Sequence, residues 1–471
     1  MTDRKAINSL RAIPSIDEVL SLKEISTLRS RHPRFPWTRF SRMIVDSVRG
    51  DISAENSNGI TRPEITSRIC KIFLQRFQAV QKGGMKRVLN GTGVILHTNL
   101  GRAVLGERAR RALEDAMSGY VNLEYDLSRG ERGSRTKHLD NLLRLATGSE
   151  ASMVVNNNAA AVYMVAGAFS PPGRVLISRG ELVEIGGSFR LPAILNAAAK
   201  KVIEIGTTNR TFIEDYGKQA RKNDIILKVH KSNYEISGFA HEASLEEIVE
   251  LAACKRCISV YDLGSGSLFD FASRGIGNEK SIDEIMDSGV DCVTMSGDKL
   301  LGGVQAGIIL CKSKIMKKLE TNPLRRAVRA DKIAIAALEA LIAQYLFAED
   351  YEDSIPVLAQ ALQSLSQLTV RAEAIIRLAG EHGERSCSLA VVDDISAAGG
   401  GSFPCEELPG KAVAIICPSE NSAVKLEKIM RTHTPPILTR IKGRELRVNL
   451  RTILPGQDEE LGKCLGSILG K

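Results

Sequence analysis

The stretch "CVTMSGDKLLGGVQAGIILCK", residues 292–312, decides the fold. "CVTM" is short, apolar and partly β-branched, the pattern of a strand covered on both faces. "SGDK" ends it in a polar turn. "LLGG" and "VQ" then lead to a second strand-like run, "AGIILCK". One lysine, Lys299, therefore stands at the mouth of a buried sheet. It is either a solvated loop charge or a reactive amine held over a cofactor.

Outward from this stretch, strands and helices alternate between about 85 and 345. "ASMVVN" leads into the helical "NAAAVYMVAGAF". "RVLIS", "KVIEIG", "IILKVH", "SVYDL", "CVTMSG" and "GIILCK" follow as short apolar strands. The alternation predicts an α/β domain built on a largely parallel sheet. Ligands of such sheets bind at the carboxyl ends of the strands. "NNN" (156–158), "HKSN" (230–233), "DLGSGS" (262–267) and "SGDK" (296–299) each come directly after or at the end of a strand. They are expected to converge on one rim.

Residues 346–471 mix helices with strands such as "AVAIICP" and "ELRVNLRTI" and read as a small α+β domain. Residues 1–84 read as a helical unit and linker, with "GDISAENSNGI" (50–60) as a linker or wing-like turn. "TRPE" (61–64) signals a helix start, with Thr61 as N-cap, Pro63 early and Glu64 at the third position. "RHPRFPWTRF" (31–40) sets arginines among three aromatics. Base stacking and core packing are equally open readings of it.

The 471 residues are 43% hydrophobic, enough for two or three real cores. Mean hydropathy is −0.07, and no apolar run is long enough to span a bilayer. The N-terminus shows no apolar signal core. Nine scattered cysteines fit a reducing cytoplasm. "CKRC" (254–257) has no second Cys/His pair in zinc spacing, so two packed thiols are expected rather than a metal site. The formal charge of +9 is unevenly placed: residues 1–90 hold 17 Lys+Arg against 8 Asp+Glu, and the remainder is balanced. A segment so basic beside a neutral remainder points to a polyanion partner.

The rim residues suit one chemistry. A lysine amine such as Lys299 forms a Schiff base with an aldehyde cofactor. Asp262, ending "SVYDL", can keep a pyridine nitrogen protonated. Asn233 or Ser232 can hydrogen-bond a phenolic oxygen. The turn at Asn157, Asn158 and Ala159 offers backbone N–H groups and a positive helix end to a phosphate. Ser265 and Ser296 lie in the same strand-end segments. An Asp on one strand and a Lys after a later one is the order found in fold type I pyridoxal phosphate enzymes.

Seven ordered motifs then carry a closer resemblance: "LNGTGVILHTNLGRAVL" (89–105), "NLEYDLSRGERGSR" (122–135), "ISRGELVEIGGSFRLP" (177–192), "HKSNYEISGF" (230–239), "YDLGSGSL" (261–268), "SGDKLLGGVQAGII" (296–309) and "LRRAVRADK" (324–332). Together they resemble the bacterial selenocysteine synthases, L-seryl-tRNA(Sec) selenium transferases. The resemblance implies a fold type I enzyme with a large pyridoxal 5'-phosphate domain (85–345), a small C-terminal domain (346–471) and a tRNA-binding N-terminal domain (1–84). It implies that Lys299 carries the cofactor and that Asp298 assists. It implies that Arg102, Arg326 and Arg329 hold the anionic donor selenophosphate, for which a guanidinium fork is suited. It further implies a cytoplasmic homodecamer, a ring of dimers, with seryl-tRNA(Sec) as substrate and no metal. Two rival readings are a pyridoxal phosphate lyase of small amino acids or amino sugars, and a DNA-binding head fused to a sensor body of this fold. The basic first 84 residues tell against the first, and the synthase motifs against the second.

Overall fold

Seven of the apolar runs assemble into one sheet. Its strands are β1 (Ala151–Val155), β2 (Val175–Ser178), β3 (Val202–Ile205), β4 (Ile225–Val229), β5 (Ile258–Ser265), β6 (Cys292–Ser296) and β7 (Gly307–Cys311). The order across the sheet is β1-β7-β6-β5-β4-β2-β3. β7 runs antiparallel to both its neighbours, and the other pairs are parallel. The turn that carries Lys299 thus joins the one reversed strand to β6.

The computed structural model describes residues 12–54, 60–170, 172–185, 189–199, 201–231, 233–380, 387–403 and 406–470. Alternate side chains of the sheet enter two cores. Val154, Leu263, Val293, Met295, Ile308 and Leu310 pack with Leu338, Leu341 and Ile342 of the helix Lys332–Phe347. Met153, Val155, Val260, Cys292, Ile309 and Cys311 pack with Ala161, Met164 and Val165 of the helix Asn158–Phe169. Both faces are covered, which is why the strands read as continuous apolar runs and not as alternating ones.

Residues 88–471 form one compact unit and residues 1–87 another. In the larger unit, β8 (Ser388–Ser396), β9 (Leu408–Ile416), β10 (Arg440–Lys442) and β11 (Glu445–Asn449) form an antiparallel sheet in the order β8-β9-β11-β10. Val413 and Ile415 pack there with Leu368 and Ile375 of one helix and Leu461 and Leu465 of another. Residues 89–96 also join this region. Leu89 and Asn90 pair in parallel with Ile437 and Leu438, and Ile95 and Leu96 donate to the carbonyls of Ala397 and Ala398.

The smaller unit holds the helices Ile16–Ser21, Lys23–Arg31, Trp37–Ala54 and Arg62–Lys82. Thr61 caps the last in a capping box with Glu64, with Pro63 in the first turn. One expectation changes here and one open reading is decided. The third helix runs through Gly50 to Ala54, so the linker read from residue 50 is helical over its first five positions. The remainder of that stretch, 55–59, lies outside the described residues. The aromatics of "RHPRFPWTRF" form a core: Trp37 stacks on Phe73 and Phe77, and Phe40 meets Phe73 edge-on. Trp37 and Phe40 are buried, so no base can stack on them.

Candidate active site

The parallel strands point their carboxyl ends to one rim, and a cavity of about 670 Å³ opens there. Asn157, Asn158, Ala159, Asn233, Asp262, Ser296, Asp298, Lys299 and Arg102 all line it. These residues come from sequence positions up to about 200 apart; the sheet gathers the strand-end ones, and the segment carrying Arg102 reaches them through Asp298.

Lys299 is 6% exposed and Asp262 5%. Burial pushes the Lys299 ammonium below its ordinary pKa, against the opposing attraction of Asp262. Burial likewise pushes the Asp262 carboxyl up, and hydrogen bonds from Asn158 and Thr294 work against it. Asn158 Nδ2 donates to Asp262 Oδ1 at 2.8 Å, and Thr294 Oγ1 donates to the same oxygen at 2.9 Å. The backbone turns sharply just after this aspartate. Asp262 pairs with Thr294 but Gly264 with Met295, so Leu263 is an extra residue. Such a bulge re-aims the strand end beside a site. Gly264 takes φ +66°, and a Cβ there would sit 4.0 Å from Lys299 Nζ.

Asn157 caps the helix Asn158–Phe169, its Oδ1 accepting from Ala160 N at 2.9 Å. The helix therefore presents its N-terminus to the cavity. Asp298, beside the lysine, is held by Arg102, Nη1 to Oδ2 at 2.7 Å. Arg102 adopts φ +62°, a left-handed conformation unusual for a side-chain-bearing residue. Two buried polar atoms of this cavity wall, Asn158 Oδ1 and Arg102 Nε, have no hydrogen-bond partner.

Other expected residues are engaged differently. Ser265 is buried and its hydroxyl bonds Ser402 Oγ at 2.5 Å, so it ties the rim to a C-terminal segment. That segment brings Gly400 and Gly401 to the cavity, which the sequence reading missed. Asn233 lines the cavity while its amide donates to Glu184 O at 2.7 Å. Ser232 lies outside the described residues. Arg326 and Arg329 line a second cavity, of about 800 Å³, with Arg132, Arg135 and Arg325. Within one chain the three donor arginines are thus divided between two cavities. The second lies behind the end of β1: Asn156 N donates to Val328 O at 2.9 Å, and Val155 pairs with Arg329. Thr294, Thr98, Asn99 and Gln305 were also missed. Thr294 had one sequence signal, a lone hydroxyl within an apolar strand.

Comparison with known proteins now bears on this geometry. Residues 88–454 match the family described as L-seryl-tRNA selenium transferase, and residues 10–34 match the selenocysteine synthase N-terminal family. The chain belongs to the L-seryl-tRNA selenium transferase family. An L-seryl-tRNA(Sec) selenium transferase of Moorella thermoacetica is 39% identical over 459 residues, covering 97% of this chain and 96% of its own. Those of Alkaliphilus metalliredigens and Clostridium perfringens are 40% and 38% identical, over 94% and 98% of this chain and 95% and 98% of theirs. Among solved structures, D-glucosaminate-6-phosphate ammonia-lyase superposes with a TM-score of 0.57 at 18% identity, over 82% of this chain and 97% of that one. That likeness concerns the fold, a mixed α/β body with a mostly parallel central sheet.

The transferase-family cavity fits pyridoxal phosphate on its own donors. A buried amine whose pKa burial lowers is placed to condense with an aldehyde. A buried carboxyl one strand away, oriented by Asn158 and Thr294, can meet a ring nitrogen. A capped helix N-terminus without acidic residues in its first turn suits a phosphate. No helix among the described residues is long and apolar enough to cross a membrane. The described residues hold no cluster of three or more His, Cys, Asp or Glu able to bind a metal ion.

Proposed function

We propose that this chain converts L-seryl-tRNA(Sec) to L-selenocysteinyl-tRNA(Sec), with pyridoxal phosphate as cofactor and selenophosphate as selenium donor. The observation that carries the reading is the buried pair of Lys299 and Asp262 on adjacent strand ends, with a helix N-terminus on the same cavity. Lys299 would hold the cofactor through its amine, and Asp262 would face its ring nitrogen. Asn157, Asn158 and Ala159 would take its phosphate, and Asn233 and Ser296 would line its edge. Bound there, the cofactor supplies the electron sink that lets serine lose its Cα proton and its β-hydroxyl.

The protein's own groups supply the rest. Lys299 would accept the Cα proton on its amine, whose pKa burial lowers. Asp298, fixed by Arg102, stands beside that amine to steady or relay the proton. Asp262 keeps its orientation through Asn158 and Thr294. Arg102, Arg326 and Arg329 would hold the anionic donor. The basic residues 1–84 would bind tRNA, 85–345 would be the catalytic domain and 346–471 the small domain. The working particle would be a cytoplasmic ring of dimers, in which cavities of neighbouring chains meet.

The test is Lys299→Ala, reconstituted with pyridoxal phosphate. The variant is expected to lack the visible absorption band of lysine-bound cofactor. It is also expected to lose at least about 10³-fold in selenocysteinyl-tRNA formation, the scale on which covalent and proton-transfer contributions act. Full turnover by the variant would remove the assignment.

A further inference from the structure

Glu124 is the hub of the arginine-rich cavity. Its Oε1 accepts from Arg135 Nε at 2.9 Å and lies 2.8 Å from Arg135 Nη2. The same oxygen lies 3.2 Å from Arg329 Nη1, and Oε2 lies 3.3 Å from Arg132 Nη2. One carboxylate thus holds three guanidinium groups. They come from a hairpin (Arg132), the segment after it (Arg135) and a segment some 200 residues later (Arg329).

The fold makes this hub rigid. Gly133 N donates to Glu124 O at 3.0 Å, which closes the hairpin on its own base. Arg135, only 18% exposed at its side chain, also donates through Nη1 to Ala330 O at 2.7 Å. Arg135 is therefore committed to structure. Arg329 is 39% exposed and Arg132 80%, and both line the cavity, so neither guanidinium is fully taken up by Glu124. Arg325 and Arg326 line the same space and form no ion pair among the described residues. The cavity lining holds five arginines against Glu124 and Glu320, an excess suited to a multiply charged anion.

We infer that Glu124 is a positioning residue for the anionic donor: it fixes Arg329, and with it Arg132, in the orientation that receives a phosphate-class anion. The inference rests on the function proposed above and deepens it. Guanidinium groups left unpaired in a five-arginine cavity would repel one another and swing towards solvent. A single carboxylate offsets part of that repulsion while leaving the net charge positive. The orienting bonds are charge-assisted and directional. A fixed fork loses less rotamer freedom on binding than a mobile one.

The experiment compares Glu124→Gln and Glu124→Asp with wild type in the full-length holoenzyme. The KM for selenophosphate, the KM for seryl-tRNA and kcat are measured separately. Competition by inorganic phosphate is the second readout. Glu124→Gln is expected to raise the selenophosphate KM and the phosphate inhibition constant together, by about ten-fold, the equivalent of one lost charge-assisted contact. The seryl-tRNA KM and kcat at saturating donor should stay within about two-fold. Glu124→Asp should recover part of the loss. A lower donor KM in Glu124→Gln would mean that the carboxylate competes with the donor, and would overturn the inference. So would unchanged donor kinetics, or a fall in kcat with both KM values raised alike and a lowered melting temperature. Failure of the function itself would show differently, as absence of selenocysteinyl-tRNA with the wild-type holoenzyme.

Discussion

Burial moves Lys299 and Asp262 towards their neutral forms, one by losing a proton and the other by keeping one. Without cofactor, this arrangement costs stability. The folded-state pKa of Lys299 lies below the unfolded value near 10.5. The unfolded chain therefore binds more protons between the two, and stability rises with pH across that window. Cofactor-free Lys299→Met, of similar volume and without charge, is expected to melt above cofactor-free wild type at pH 7. The gap should narrow as the pH approaches 10.5. Thermal melts at several pH values check this, and a gap that widens with pH would contradict it. Lys299 and Asp262 were legible in the sequence because each ends an apolar run, where a charge is conspicuous. Glu124 was not, because its meaning lies in Arg329, 205 positions away, and an acidic residue in a polar hairpin has no local signature.

The strand-to-helix turn at the end of β1 sets the phosphate side of the cavity, and its geometry depends on a neighbouring strand. Gly307 opens β7 opposite Val155, and a Cβ there would lie 2.2 Å from the carbonyl oxygen of Asn157. Gly307→Ala must therefore push the Asn157–Ala159 turn outwards. Overpacking of this kind costs about 1–3 kcal/mol, and the expected result is a lower melting temperature together with weaker cofactor retention. Gly119→Ala, which meets nothing within 4 Å, is the control and should stay within about 0.5 kcal/mol of wild type. Loss of stability without loss of cofactor affinity would separate the turn from the site. All seven strands of the central sheet were legible: six are apolar runs that need no partner to declare themselves, and the half-exposed edge strand β3 still shows its Val and Ile. The pairing of residues 89–96 with the C-terminal region was not. A two-residue strand is specified by its distant partner and not by local propensity. The aromatics around Trp37 were ambiguous for a related reason: composition cannot say whether Phe73 and Phe77 lie behind them.

At the scale of the whole molecule, charge is segregated from chemistry. The excess of nine positive charges belongs to residues 1–90, and the remainder is neutral overall. In the smaller unit the aromatic and aliphatic side chains form the core. Arg29, Arg31, Arg34, Arg39, Arg42, Lys71 and Arg76 are all exposed. Its stability comes from apolar packing, so the cations remain available to a partner. A polyanion bound by such a surface releases counterions, and affinity then falls linearly with the logarithm of salt concentration. Each phosphate neutralised contributes about 0.7 to 0.9 to that slope. Full-length protein is therefore expected to bind seryl-tRNA(Sec) with a steep salt dependence. Protein lacking residues 1–84 should bind at least about ten-fold more weakly at 0.1 M salt, with a slope shallower by several units. Its cofactor absorbance should be unchanged, since every residue described for that cavity lies beyond position 97. Filter binding of both proteins across a salt series, with ordinary seryl-tRNA and duplex DNA as competitors, decides the matter. Equal slopes would place the tRNA contacts on the catalytic unit, and equal binding of all three nucleic acids would make the basic unit a general polyanion surface. A steep slope confined to the full-length chain, with preference for seryl-tRNA(Sec), would assign the excess charge to substrate capture.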